Sequence, residues 1–341
     1  MKKLIVVAVL SLLLQISGLY ILNNFVFVNS SEFKSTKLQL KKDPTKYLNA
    51  SIPSNAENIT LSYDGKYLTY SIEKSLYIED TKTGKSSEIK TENNEVIMYH
   101  KWLDGRGILT IVEKVKKDGA EKLQLMTYNA ANSSKTFVKE ICKFKDNMKI
   151  TNMTTSVLTN VYYIDINKGG SKNVVYRIDR NDDLTQVDIK ANILGNMQAL
   201  QHEDRLIYED KVDGKFFITS PNEQLKFNSN KKLTLLGVDR NDVIYIGEFN
   251  GEKISSILYG KVNENTDTWK KVTLDSPVNR DYLYFNKKSE IVINDNLKGI
   301  VKNLTTGKEI EYEGKFAQAK EDFIVTIDNN SKLKYINFDD K

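Results

Sequence analysis

The side chains with the means to do chemistry are few and scattered. There are two histidines, His100 and His202, and a single cysteine, Cys142. A lone thiol forms no intramolecular disulfide and lacks the paired spacing of a zinc site. Its neighbours Val138, Ile141 and Phe144 suit a small buried hydrophobe better than a nucleophile. His100 and Trp102 flank Lys101, so in an extended strand they share one face. They are the candidate ligand- or partner-binding residues; packing by the large apolar indole is the favoured alternative.

Carboxylates form the other candidate set, because glycan hydrolases and lyases build general acids and bases from paired Asp and Glu. Asp165, Glu203, Asp204, Glu209, Asp210 and Asp239 qualify by type. All but Asp165 fall at or beside turns, where Asp bonds to its own backbone. Asp182-Asp183 and Asp239–Asp242 lack the Asp-x-Asp-x-Asp-Gly spacing of an EF-type calcium loop. The chain has no His-Glu-x-x-His motif, phosphate-cradling glycine loop or Gly-x-Ser-x-Gly elbow. The sequence therefore predicts no catalytic residue, no metal site and no cofactor.

These residues sit on short strands separated by turns rich in Asp, Asn and Gly. The pattern opens at Ser62-Tyr63-Asp64-Gly65-Lys66-Tyr67-Leu68-Thr69-Tyr70 and continues through Ser75–Asp80 and the turn Thr81-Lys82-Thr83-Gly84-Lys85. Looser copies begin near Ile97, Lys149, Met197, Leu233, Tyr282 and Phe316. Units of about 40 residues with four strands are the period of a β-propeller. The reading is an all-β propeller of about seven four-stranded blades, with six or eight as alternatives. The last unit, Phe316–Lys320, Phe323–Ile327 and Leu333–Phe338, is one strand short. Thr36–Leu40 or Tyr47–Ile52 is expected to pair outside Leu333–Phe338 and close the ring, which removes an exposed edge.

The Ser62–Tyr70 stretch resembles the Ser-x-Asp-Gly-Lys-x-hydrophobic-x-Tyr signature of WD40-like (PD40) propeller blades. Leu76–Lys85 matches the strand and turn that follow it, and Trp102-Leu103-Asp104-Gly105-Arg106-Gly107-Ile108-Leu109 is a second, weaker match. Such blades occur in TolB and in the propellers of prolyl-oligopeptidase and dipeptidyl-peptidase IV enzymes. Tyr63 and Leu103 replace the proline usual before Asp-Gly. The match covers about residues 55–115 and is architectural beyond. It implies fold rather than peptidase activity, because the hydrolase elbow is missing.

Ahead of the blades, Met1-Lys2-Lys3 precedes an apolar run from Leu4 to Leu22, broken only by Ser11, Gln15, Ser17 and Gly18. That length suits a membrane-spanning signal anchor, and no clean small-x-small cleavage site follows. Lys2 and Lys3 lie on the cytoplasmic side by the flanking-charge rule, which puts the body outside the cytoplasm. Cleavage would instead leave it secreted. The division is an anchor over 1–28, a tether over 29–54 and a propeller over 55–341.

The 50 basic and 45 acidic residues give a mixed surface with a net charge of +5. The densest basic cluster, Lys114-Val115-Lys116-Lys117, reads as a hairpin tip, so no nucleic-acid partner is expected. The functional expectation is a non-catalytic scaffold held at the membrane through residues 4–22, binding an envelope protein or polymer. The alternatives are an envelope glycan hydrolase or lyase with carboxylates at the propeller face, and a sensory subunit for a small ligand.

Overall fold

The computed structural model describes residues 2–22, 49–91, 95–170 and 173–338. Its contacts separate two units, Met1–Thr45 and Lys46–Lys341. In the first, the apolar run forms one helix, α1 (Lys2–Ile21), whose apolar side chains, among them Ile5, Leu14 and Leu19, are exposed. Among the described residues no helix is long and apolar enough to cross a membrane. The span expected over residues 4–22 is thus not shown. Lys2 and Lys3 fall inside the helix, and Ser11, Gln15 and Ser17 interrupt its apolar run.

Among the described residues the second unit holds 27 strands in seven antiparallel sheets. Blade 1 is β1 (Glu57–Leu61), β2 (Tyr67–Ile72), β3 (Ser75–Asp80) and β4 (Lys85–Glu88). Blade 2 is β5 (Val96–Trp102), β6 (Ile108–Lys117), β7 (Ala120–Asn129) and β8 (Ser134–Lys143). Blade 3 is β9 (Lys149–Ser156), β10 (Val161–Asn167), β11 (Asn173–Ile178) and β12 (Leu184–Gln186). Blade 4 is β13 (Leu194–Ala199), β14 (Leu206–Asp210), β15 (Lys215–Ile218) and β16 (Glu223–Leu225). Blade 5 is β17 (Leu233–Val238), β18 (Ile244–Asn250), β19 (Lys253–Gly260) and β20 (Lys270–Val278). Blade 6 is β21 (Leu283–Phe285), β22 (Ile291–Asp295), β23 (Ile300–Asn303) and β24 (Glu309–Glu311). Blade 7 has three strands, β25 (Lys315–Ala319), β26 (Phe323–Ile327) and β27 (Leu333–Asn337).

Each blade is a meander, as short turns between alternating apolar runs dictate. The first strands meet across blades: β1 approaches β5 and β25, and β13 approaches β9 and β17. They therefore line the centre of a ring. Second strands lie between two neighbouring sheets and are buried on both faces, as β14 and most of β10 and β18 show. Outer strands such as β4 are exposed throughout. Side chains of facing sheets interdigitate; Leu76 and Ile78 of blade 1 pack with Trp102, Leu109 and Ile111 of blade 2.

Two expectations change in detail. The Lys114–Lys117 cluster is not a tip, because alternation continues through it. Val115 is buried, Lys114 pairs with Leu123, and the turn falls at Asp118-Gly119, both at positive φ. Of the expected ring-closing strand Tyr47–Ile52, residues 47 and 48 lie outside the described residues; the described part makes one bridge, Ser51 with Lys332, backed by Ile52 N–H donating to the Ser331 carbonyl at 3.0 Å. Beyond it the chain leaves β27 for blade 1. The N–H of Asn49 donates to the Thr81 carbonyl at 3.3 Å and its Nδ2 to the Lys82 carbonyl at 2.8 Å. Ala50 and Ile52 are buried among Leu61, Tyr70, Val325 and Leu333, so this clasp joins the cores of blades 1 and 7. Thr36–Leu40 lies outside the described residues.

Candidate functional site at the channel mouth

The loop after each first strand opens on one end of the central channel. There a cavity of about 380 Å³ is lined by these loops from blades 2 to 7. Asp104 and Arg106 come from blade 2, Leu158 from blade 3, Gln201 from blade 4, Arg240 from blade 5, Asn286 from blade 6, and Lys320 with Glu321 from blade 7. The loops are tight because turn chemistry fixes them locally. In blade 1, Ser62 Oγ donates to Asp64 Oδ1 at 2.8 Å, and Gly65 takes φ +70°. In blade 5, Asp239 accepts the N–H groups of Asn241 and Val243 and the Tyr245 hydroxyl.

Bonds between neighbours run around the whole circle. Trp102 Nε1 donates to Thr69 Oγ1 at 3.2 Å, joining blades 1 and 2. Arg106 Nη2 reaches the Val157 carbonyl at 3.3 Å, and Ser156 Oγ reaches the Gln201 carbonyl at 2.8 Å. His202 Nδ1 lies 2.8 Å from Asp242 Oδ2, which joins blades 4 and 5. Asn241 Nδ2 donates to Ser289 Oγ at 3.0 Å, Lys287 pairs with Asp322, and the Tyr335 hydroxyl donates to the Gly65 carbonyl. Arg240 of blade 5 also reaches Glu321 of blade 7 at 3.6 Å, across the mouth itself.

Charge in the mouth is balanced, with Arg106, Arg240 and Lys320 against Asp104, Asp239 and Glu321. Burial holds the ammonium groups of Lys101 and Lys320 below the ordinary lysine range, and nearby Asp104 opposes both shifts. Lys101 Nζ donates to the Met153 carbonyl at 2.8 Å. Burial pushes the Glu321 carboxyl up against the pull of Arg240. The arrangement is a ring of fixed dipoles and charges around a small concavity, suited to holding polar groups of a ligand rather than activating a nucleophile.

The two residues first singled out sit behind this mouth. Trp102 is buried between blades 1 and 2 and stacks on Tyr67 with centroids 6.4 Å apart. His100 is half-buried on the same strand, opposite Ile111, and burial lowers its imidazole pKa. Cys142 is half-buried against the core between blades 2 and 3, where burial pushes its thiol up.

The six carboxylates do not converge on one site: Glu209 and Asp210 line a groove between blades 4 and 5, and Asp239 lies at the mouth. Asp204 is held by the Arg177 guanidinium and by the Tyr163 hydroxyl at 2.6 Å, whereas Asp165 bonds to Thr151 and Asn173. Glu209 accepts Asn196 N–H at 3.0 Å, Asn196 Nδ2 at 2.7 Å, Thr234 Oγ1 at 3.0 Å and Leu235 N–H at 2.7 Å. Among the described residues no group of three or more His, Cys, Asp or Glu side chains is placed to hold a metal ion. The sequence reading missed Arg240, Lys320 and Glu321. The available signal was positional, since all three follow a first strand as Asp64 and Asp104 do.

No family model matches the sequence, and no curated protein does. Solved structures do. A chain of a mitotic checkpoint complex is 13% identical over 86% of this chain and 88% of its own, with a TM-score of 0.53. The Cps50 (Swd1) β-propeller domain of Myceliophteria thermophila is 9% identical over 84% and 98%, with a TM-score of 0.52. Hsv2 of Kluyvelomyces marxianus is 11% identical over 83% and 97%, with a TM-score of 0.50. At such identities the likeness is one of fold. The chain is a seven-bladed β-propeller.

Proposed function

We propose that this propeller is a non-catalytic protein-interaction scaffold that presents the channel mouth to a partner. The observation that carries the reading is the continuous circle of inter-blade bonds around the mouth, with Arg240 and Glu321 crossing it. Loops fixed on a rigid frame lose little conformational freedom on binding, which favours recognition. One of the similar solved structures, a chain of a mitotic checkpoint complex, supports a protein as partner. His100 and Trp102 serve the mouth from behind, by setting the spacing of blades 1 and 2.

Attachment to a membrane through residues 4–22, with the propeller outside the cytoplasm and an envelope partner, belongs to the same proposal. It is supported by the exposed apolar side chains of α1 after Lys2 and Lys3. Closer kinship to the TolB-type PD40 blades is supported by the Ser62–Lys66 turn and its Ser62–Asp64 bond.

Cross-linking of the tagged full-length chain in cells, with mass spectrometry of the products, tests the scaffold. A reproducible envelope protein lost in Arg240→Glu supports it, and recovery of the protein alone overturns it. Carbonate extraction and protease accessibility test the anchor. Release of the intact chain into the soluble fraction removes that part of the proposal.

A further inference from the structure

A second concavity lies away from the mouth, a groove of about 960 Å³ between blades 4 and 5, lined by the loop after β14, the link from β16 to β17, and Arg280. Its charge differs in kind from that of the mouth. Six basic residues, Lys211, Lys215, Lys226, Lys231, Lys232 and Arg280, face three acids, Glu209, Asp210 and Asp213.

The acids are already occupied. Glu209 accepts four bonds on the groove floor, and Asp210 accepts N–H groups from Asn192 and Val212, both at 2.9 Å. Asp213 pairs with Lys215 at 3.0 Å. Among the described residues the other five cations make no ion pair. Lys232 lies over the Phe249 ring, 5.5 Å from its centroid, and Arg280 Nη2 donates to the Leu235 carbonyl at 3.1 Å.

We propose that this groove is a docking site for an extended acidic segment of a protein partner. The cations are spread over three separate chain segments, which matches a row of carboxylates better than one compact anion. The aromatic rings speak against a nucleic acid. Phe227 is packed edge-on against Phe216 and Trp269, at 5.5 and 5.1 Å, and Phe249 is covered by Lys232, so no open ring offers a base a stacking platform. The assignment rests on the scaffold reading for its biological sense, but it concerns a different face and a different chemistry from the mouth.

The test is fluorescence anisotropy of a labelled deca-glutamate peptide against the detergent-purified full chain. Saturable binding is expected, weakened about tenfold or more in Lys231→Glu/Lys232→Glu and by added salt. The control Lys116→Glu/Lys117→Glu carries the same charge change on the blade 2 hairpin and is expected to bind as wild type, as is Arg240→Glu. Equal weakening in control and groove variants overturns the proposal, because net charge then suffices. Tighter, groove-dependent binding of a single-stranded DNA decamer overturns it in favour of a phosphate-backbone site. Groove-dependent peptide binding without any cellular cross-link sustains the groove and removes the scaffold reading; a mouth-dependent cross-link without peptide binding does the reverse.

Discussion

At the scale of single residues, the polar side chains that matter most for the ring are the buried ones with complete bonding. Glu209 satisfies two N–H groups, an amide and a hydroxyl from both sides of the seam between blades 4 and 5. Glu209→Ala leaves these donors unpaired and is expected to cost about 2–4 kcal/mol, read from urea unfolding. Trp102→Phe keeps most of the packing but loses the bond to Thr69, with an expected cost of about 1–2 kcal/mol by the same measurement. Asp204 supplies a pH signature. Burial alone would raise its carboxyl pKa, but bonds from Arg177 and Tyr163 outweigh burial and hold it below its ordinary value of 3.8. A lowered acid stabilises the fold above its unfolded pKa and loses that contribution as pH falls through the native one. The melting-temperature gap between wild type and Asp204→Asn is therefore expected to be constant above about pH 5 and to narrow in stronger acid. A gap that stays constant down to acid unfolding would show that the Arg177 pair does not link folding to protonation.

At the scale of elements, period-two alternation and turn chemistry made nearly every strand legible, because both are local properties of the chain. The blade 2 hairpin was under-read for a related reason. Lys114, Lys116 and Lys117 look like a loop by composition, yet Val115 keeps the alternation, and only the positive φ of Asp118 and Gly119 ends it. First-strand bulges were not legible. In blade 4 the register shifts between Leu194 and Met197, and Glu209 caps the freed Asn196 N–H. Nothing in the spacing of residues 194–209 announces that pairing. The clasp was anticipated as a strand, and its described part, residues 49–52, contributes one bridge plus two buried side chains, Ala50 and Ile52. Ile52→Ala is expected to cost about 2–4 kcal/mol and to speed amide exchange in β25–β27 more than in β13–β16. Uniform acceleration across all blades would refute a local role for the clasp.

At the scale of the molecule, the candidate site depends on which loops of distant blades face one another, and local pattern carries no such information. Asp104, Arg240 and Glu321 are far apart in sequence and meet only because the ring closes. Closure itself is uneven. Successive blades are joined by continuous chain, whereas blade 7 meets blade 1 through the Ser51–Lys332 bridge, the Tyr335–Gly65 and Leu61–Gln318 bonds and a shared apolar core. The bridge is also where the chain enters the ring from its N-terminal side. Tension applied along the chain ahead of residue 49 is therefore delivered first to the Asn49 bonds with Thr81 and Lys82 of blade 1 and then to the bridge at Ser51. A pull strong enough to lift Ser51 from Lys332 frees the entering chain from blade 7 while all seven blades keep their hydrogen-bonded ladders. The device works as a latch on the mechanical path, backed by the Tyr335–Gly65 bond and the core that blades 1 and 7 share.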